Sequence, residues 1–381
     1  MAVLITYIFS QFGITLPLLV QVIIAWVFSA IVGFIAMRGI NGSTMVSIVI
    51  NIIQLTALIV FSILASHFRV QNPLGIAPGG WFHPAPTSIV IPHNLAGLLF
   101  QSTIAILILV GFESSTALGA EAINPKRDIP CGVILSLVIQ GLFAYLLEYF
   151  AANSALSDKF TSADGTLTGI SAAAASNAPI GDLAIQIGNA FLGGNGFAFM
   201  LVIAFTVAIA ILGTTLAAMN TGVRISFAMA QDSEMPGLMG LLHEKYATPY
   251  IGVVIMVIVS AVIGTIGVLG GVTALTGITL ASNLGTFVLY ALICAITFVA
   301  FAGSHEYHAG RHALIPFLGL VANIIMVLAI FIIGLISGGS TTQATFIALG
   351  ISAGWLVVST AYLLITSSRQ GKLILPSLSK L

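Results

Sequence analysis

Nine stretches of this chain are apolar for long enough to cross a membrane, and no other property limits its fold so tightly. They are Ile14–Met37, Met45–Ser66, Leu95–Glu121, Gly132–Asn153, Gly196–Val223, Ile251–Gly271, Leu275–Ala302, Leu314–Ser337 and Thr342–Thr366. A spanning helix needs about 20 mostly apolar residues, and a barrel strand only about 10. The runs are too long for the alternating pattern of a β-barrel. Charge agrees: 11 Lys and Arg plus 11 Asp and Glu make 6% of 381 residues, against about 25% in soluble domains. So few charges could not clothe a soluble surface. Disorder is excluded by the same hydrophobicity, and a net charge of +0 without a basic patch argues against nucleic-acid partners. The expected class is an all-α polytopic integral membrane protein.

A tenth apolar stretch, Met1–Phe12, would reach only about 18 Å as a helix, short of the hydrocarbon core. The first charge is Arg38. Met1–Phe12 therefore reads as the tail end of a span whose beginning is missing. Alternating the loops between two sides puts Arg38, Lys126, Arg127, Arg224, Lys245, Arg311, Arg369, Lys372 and Lys380 together, with Arg69 and Lys159 opposite. By the positive-inside rule the first side is cytoplasmic. The expected location is the plasma (cytoplasmic) membrane, with the C-terminus in the cytoplasm. Within the second long outer loop, Pro179–Leu192 has helical apolar spacing and predicts a short interfacial helix.

The most informative span is Leu95–Glu121, whose centre reads Leu107-Ile108-Leu109-Val110-Gly111-Phe112-Glu113-Ser114-Ser115-Thr116. Gly111 weakens the helix, and a carboxylate and three hydroxyls follow at membrane depth. An ionisable residue at a helix centre costs about 2.5–3.5 kcal/mol on insertion scales and marks a pathway or a coupling site. Its structural alternative is a protonated or paired Glu113 that only joins helices. Irregular backbone survives in a membrane only where protein or a water-filled cavity covers it. Many secondary transporters build midplane sites from such broken helices. The residues alone point to a secondary transporter with a discontinuous helix.

The chain runs on through Gly119-Ala120-Glu121-Ala122-Ile123-Asn124-Pro125-Lys126-Arg127-Asp128-Ile129-Pro130, where Asn124-Pro125 is expected to end the helix and Lys126, Arg127 and Asp128 to form a charged cytoplasmic turn. With Gly111-Phe112-Glu113 this resembles the GFE…E…NP.R.IP signature of the amino acid–polyamine–organocation superfamily of permeases. A second segment, Asn220 through Arg224 to Gln231-Asp232-Ser233-Glu234-Met235-Pro236, is similar to the family's cytoplasmic loop, with Gln231 in place of the usual arginine. The resemblance implies two inverted five-helix repeats plus two additional helices. Residues 1–66 would be the remainder of the first repeat, 95–302 the second repeat and 314–366 the additional pair. The GFE helix becomes the sixth, so the chain is read as N-terminally truncated: nine full spans, plus a partial first one that ends the third helix.

The implied function is secondary active transport of amino acids or related amines. By position, the carbonyls of Leu107, Ile108 and Val110 would receive the substrate ammonium at the break expected over Val110–Glu113, around Gly111. Phe112 would be an apolar wall or gate, with plain helix packing as the alternative, and Glu113 a proton-coupling group. Glu121, Asn124, Pro125, Arg127, Pro130, Arg224 and Asp232 would form the cytoplasmic motif. Gln54 stands where some proton-coupled relatives carry a lysine, so proton and sodium both stand as coupling ions. Thr214 and Thr215 lie where related folds place sodium ligands, although a hydroxyl bonded to its own helix is the simpler reading.

No cofactor is expected and no metal. His308 and His312 have i, i+4 spacing, but Gly310 argues for a loop and there is no HExxH. Cys131 and Cys294, without CxxC spacing, read as small buried hydrophobes. No nucleophile–base pair at one depth suggests an enzyme, and no filter-like repeat suggests a channel. The alternative to transport is a truncated membrane protein that binds or regulates. Expected partners are the amine substrate and the bilayer; oligomeric state is not encoded in any readable pattern.

Overall fold

The computed structural model describes residues 1–38, 40–71, 94–112, 114, 116, 122–155, 160–161, 165–303, 305 and 307–370. Among these the chain is helical, and the only β pairing is an isolated bridge between Thr161 and Thr168. The helices are α1 (Ala2–Ser10), α2 (Leu18–Met37), α3 (Ile40–Gln71), α4 (Leu95–Ala105), α5 (Pro125–Ala155), α6 (Gly169–Ala175), α7 (Pro179–Phe191), α8 (Gly196–Gln231), α9 (Tyr250–Phe301), α10 (Ile315–Ile336) and α11 (Gly339–Gln370). Seven of them are long and apolar enough to cross a membrane. Large apolar side chains such as Leu19, Phe205, Trp355 and Val357 point outward. Water would penalise such a surface and lipid does not. The protein is an all-α polytopic membrane protein.

The 52 residues of α9 would make a rod of about 78 Å, far beyond the hydrocarbon thickness. The rod does not form, because Gly271 takes φ 61° and ψ −152° and interrupts it. Only glycine reaches that region without strain. The two legs correspond to the two spans expected at Ile251–Gly271 and Leu275–Ala302. The span expected over Leu95–Glu121 is different. Its continuous helical part is Leu95–Ile108, a short apolar helix, and Ala117–Glu121 lie outside the described residues.

The chain divides into two units, Met1–Ile91 with Gly111–Val268, and Pro92–Val110 with Leu269–Leu381. In the first, Tyr7, Phe61, Phe68, Leu183, Ile187 and Met200 form one core, and Val32, Leu216, Met219 and Val253 another. The predicted helix at Pro179–Leu192 is α7, and it is not a detached surface element. Its face of Asp182, Leu183, Ala184, Ile187 and Gly188 is buried, which is the face its apolar periodicity marks. The link to α8 is a tight turn in which Gly193 and Gly194 have φ 62° and 85°. Gly188 sits so close to α8 that a β-carbon there would stand 2.6 Å from the Gly196 Cα. At the far end of α2, the Thr248 hydroxyl donates to the Met37 carbonyl at 2.9 Å and satisfies a group the helix leaves open.

In the second unit, Phe100 of α4 packs with Leu280, Leu284 and Phe287 of α9, Ile330 of α10, and Ala344 and Ala348 of α11. Small residues let these helices approach closely, as helix pairs in lipid require. Asn94 caps α4, its side chain accepting from the Gly97 N–H.

Candidate functional site

α4 does not end as an α-helix. After Ala105 the backbone tightens into a 3-10 turn over Ile106–Ile108. The Ile106 carbonyl accepts from both Leu109 N–H (2.9 Å) and Val110 N–H (3.0 Å). Such sharing is usual where a helix terminates. Gly111 then takes φ 117°, which a residue with a β-carbon adopts only under strain. The irregularity therefore begins at Ile106, four residues before the expected Val110. The sequence marks the glycine, whereas the tightening that precedes it leaves no sign in residue type.

Leu107 of the expected ligand set is exposed, Ile108 and Val110 are half-buried, Gly111 is exposed and Phe112 is half-buried. Chain adjacency brings these five together. A helix C-terminus carries about half a negative charge from its aligned peptide dipoles. The carbonyls of the 3-10 extension and of the residues just after it, here called the carbonyl end of α4, lie at that negative pole and are thus suited to an ammonium group. Glu113 and Glu121, expected at the site and in the cytoplasmic motif, lie outside the described residues.

The cytoplasmic motif falls on two helices. Asn124-Pro125 was expected to lead into a charged turn, with the next span starting at Gly132. Instead Pro125 is the first residue of α5, and Lys126, Arg127 and Asp128 are its exposed first turn. The physical reason is capping. Proline at the first helical position lacks an N–H that would have no partner there. The Asn124 carbonyl accepts from Arg127 (3.0 Å) and Asp128 (2.8 Å), and the Asn124 N–H donates back to the Asp128 carboxylate at 3.2 Å. Pro130 lies inside the same helix. Arg224 is half-buried near the end of α8, and Asp232 is the exposed residue that closes that helix.

Of the groups weighed for ion coupling, Thr214, Thr215 and Gln54 are among the described residues. The Thr215 hydroxyl donates to the Ile211 carbonyl of its own helix at 2.7 Å, as the simpler reading held. Thr214 is exposed and Gln54 half-buried. His312 accepts the His308 N–H on Nδ1 at 3.0 Å and stacks on Phe301 with ring centres 4.0 Å apart. Cys294 is half-buried, whereas Cys131 is exposed, contrary to its reading as a buried hydrophobe.

Two buried polar contacts were not anticipated. The Tyr7 hydroxyl donates to Asp182 Oδ1 at 2.7 Å, joining α1 to α7 across 175 residues of sequence. Asn283 Nδ2 donates to the Thr103 carbonyl at 2.7 Å across 180 residues. Neither has a local sequence motif; the only signal is the rarity of Asp and Asn in apolar stretches.

The amino acid permease family profile matches residues 1–368. The methylthioribose transporter of Bacillus subtilis (strain 168) is 24% identical over 219 residues, covering 57% of this chain and 40% of the relative. The branched-chain amino acid permease BcaP of Lactococcus lactis subsp. cremoris (strain MG1363) is 29% identical over 246 residues, 62% of this chain and 44% of the relative. The branched-chain amino acid permease BcaP of Bacillus subtilis (strain 168) is 21% identical over 243 residues, 63% and 44% respectively. Each match spans less than half of the relative's own length. With seven helices among the described residues long and apolar enough to cross a membrane, and a profile match over residues 1–368, the chain belongs to the amino acid permease family.

Proposed function

We propose that the protein is a secondary transporter of amino acids or related amines, and that the substrate ammonium binds at the carbonyl end of α4. The observation that carries this reading is the tightening at Ile106–Ile108 followed by Gly111 at φ 117°. It supports a helix end whose dipole favours a cation in a low-dielectric setting. The half-buried apolar side chains of Ile108 and Val110 favour substrates with an apolar side chain, branched-chain amino acids among them. The names of two relatives, branched-chain amino acid permeases, favour the same class. In this reading residues 1–66 belong to a first repeat, 95–302 to a second and 314–366 to two additional helices. The C-terminus faces the cytoplasm, Phe112 is a gate, and Glu113 relays a proton.

The test is uptake by the full-length protein in liposomes, using labelled branched-chain, neutral and cationic amino acids, polyamines and methylthioribose, with proton and sodium gradients imposed in turn. Saturable uptake of an amine driven by either gradient supports transport, and only uptake driven by the proton gradient supports the relay at Glu113. Uptake of methylthioribose alone, or of nothing, refutes the proposal.

A further inference from the structure

We propose that Asn283 is a positioning residue that fixes the end of α4 through the carbonyls of Thr103 and Ile104, and so determines which carbonyls meet the substrate. This rests on the substrate reading above, and its test separates the two. Asn283 lies on the second leg of α9 and is completely buried, as is Thr103. Its Nδ2 donates to the Thr103 carbonyl at 2.7 Å and reaches the Ile104 carbonyl at 3.4 Å. The Thr103 hydroxyl in turn donates to the Phe100 carbonyl at 2.6 Å. In a regular α-helix those two carbonyls serve the amides of residues 107 and 108, and these lie in the 3-10 turn Ile106–Ile108. A side chain that bonds the ladder at such a point is a recognised cause of a change in helix course.

The surroundings strengthen the contact. Leu280, Leu284 and Phe287 of the same helix and Phe100 of α4 form the core here, and a hydrogen bond shielded from water is electrostatically stronger. The Asn283 Oδ1 is buried with no partner among the described residues. A buried amide that leaves its acceptor unmet costs free energy that leucine would not. The nitrogen, facing two carbonyls, is the half of the group that acts.

Two variants of the full-length protein test this, Asn283→Asp and Asn283→Leu, reconstituted in liposomes. In Asn283→Asp only the protonated carboxyl can donate to a carbonyl. Its KM, divided by the unmodified protein's at the same pH, is expected near unity at acid pH and to rise on the order of tenfold as the carboxyl ionises. Asn283→Leu should show a similar rise at every pH. Hydrogen exchange of the Leu107–Val110 amides, corrected for intrinsic rates, reads positioning without transport. It should quicken about tenfold in Asn283→Leu, and in Asn283→Asp at high pH only, while α8 stays protected. If Asn283→Leu does not fold, the pH profile of Asn283→Asp decides alone. An Asn283→Asp exchange pattern that does not change with pH overturns the proposal. Normal exchange behaviour of the variants beside a protein that moves no amine overturns the substrate reading instead.

Discussion

Gly111→Ala separates backbone strain from packing. A β-carbon at Gly111 would meet nothing within 4 Å, so the substitution adds no collision. The residue's φ of 117° nevertheless lies where L-residues are strained, at about 1–3 kcal/mol for one residue. The variant has two ways out. It keeps the break and loses that much stability, or it relaxes towards a helical backbone and leaves the binding geometry less populated. In the second case apparent affinity falls by the fraction of competent protein. A penalty of 1–3 kcal/mol is roughly a 5- to 150-fold weaker Kd. Equilibrium binding of labelled substrate to the purified full-length protein measures it. Gly350→Ala is the control: its β-carbon also meets nothing, but the position is helical within α11, where alanine is favoured by about 1 kcal/mol. If Gly111→Ala binds and melts like the Gly350→Ala control, the break is not a feature the site depends on.

Other substitutions test the frame around the site. Tyr7→Phe removes the donor to buried Asp182 and should cost about 1.5–3 kcal/mol, the range for a hydrogen bond to a charged group; a thermal-melting double-mutant cycle with Asp182→Asn would show that the two share this energy. Gly188→Ala pushes a β-carbon to 2.6 Å from the Gly196 backbone, and overpacking of this kind costs about 1–3 kcal/mol, read as earlier heat inactivation. Thr248→Val loses the bond to the Met37 carbonyl, with an expected cost of about 0.5–1.5 kcal/mol and faster hydrogen exchange at the end of α2.

Most helices are legible from the lengths of their apolar runs, because only uninterrupted stretches of that length satisfy the backbone in lipid. The two legs of α9 were separable because Gly270-Gly271 interrupts the run, and α7 showed its buried face in its spacing. Charge misled at Lys126–Asp128, which reads as a loop; the Asn-Pro pair before it is a helix start in cap chemistry, and that local signal decided the structure. The glycine of the break was legible, but not the 3-10 turn at Ile106–Ile108. That turn coincides with a contact from Asn283, 180 residues away, and no local pattern encodes a partner so distant. Tyr7 and Asp182 were missed for the same reason. Neither Tyr7 in a short apolar helix nor Asp182 in a loop helix announces the other.

The central claim is that the carbonyl end of α4 holds the substrate ammonium. A structure of the full-length protein with a bound amino acid tests it most directly. The account predicts the ammonium nitrogen about 3 Å from carbonyls within Leu107–Val110, with Gly111 still at positive φ. An amino acid bound elsewhere, or a regular helix running through Gly111 in the complex, would contradict it.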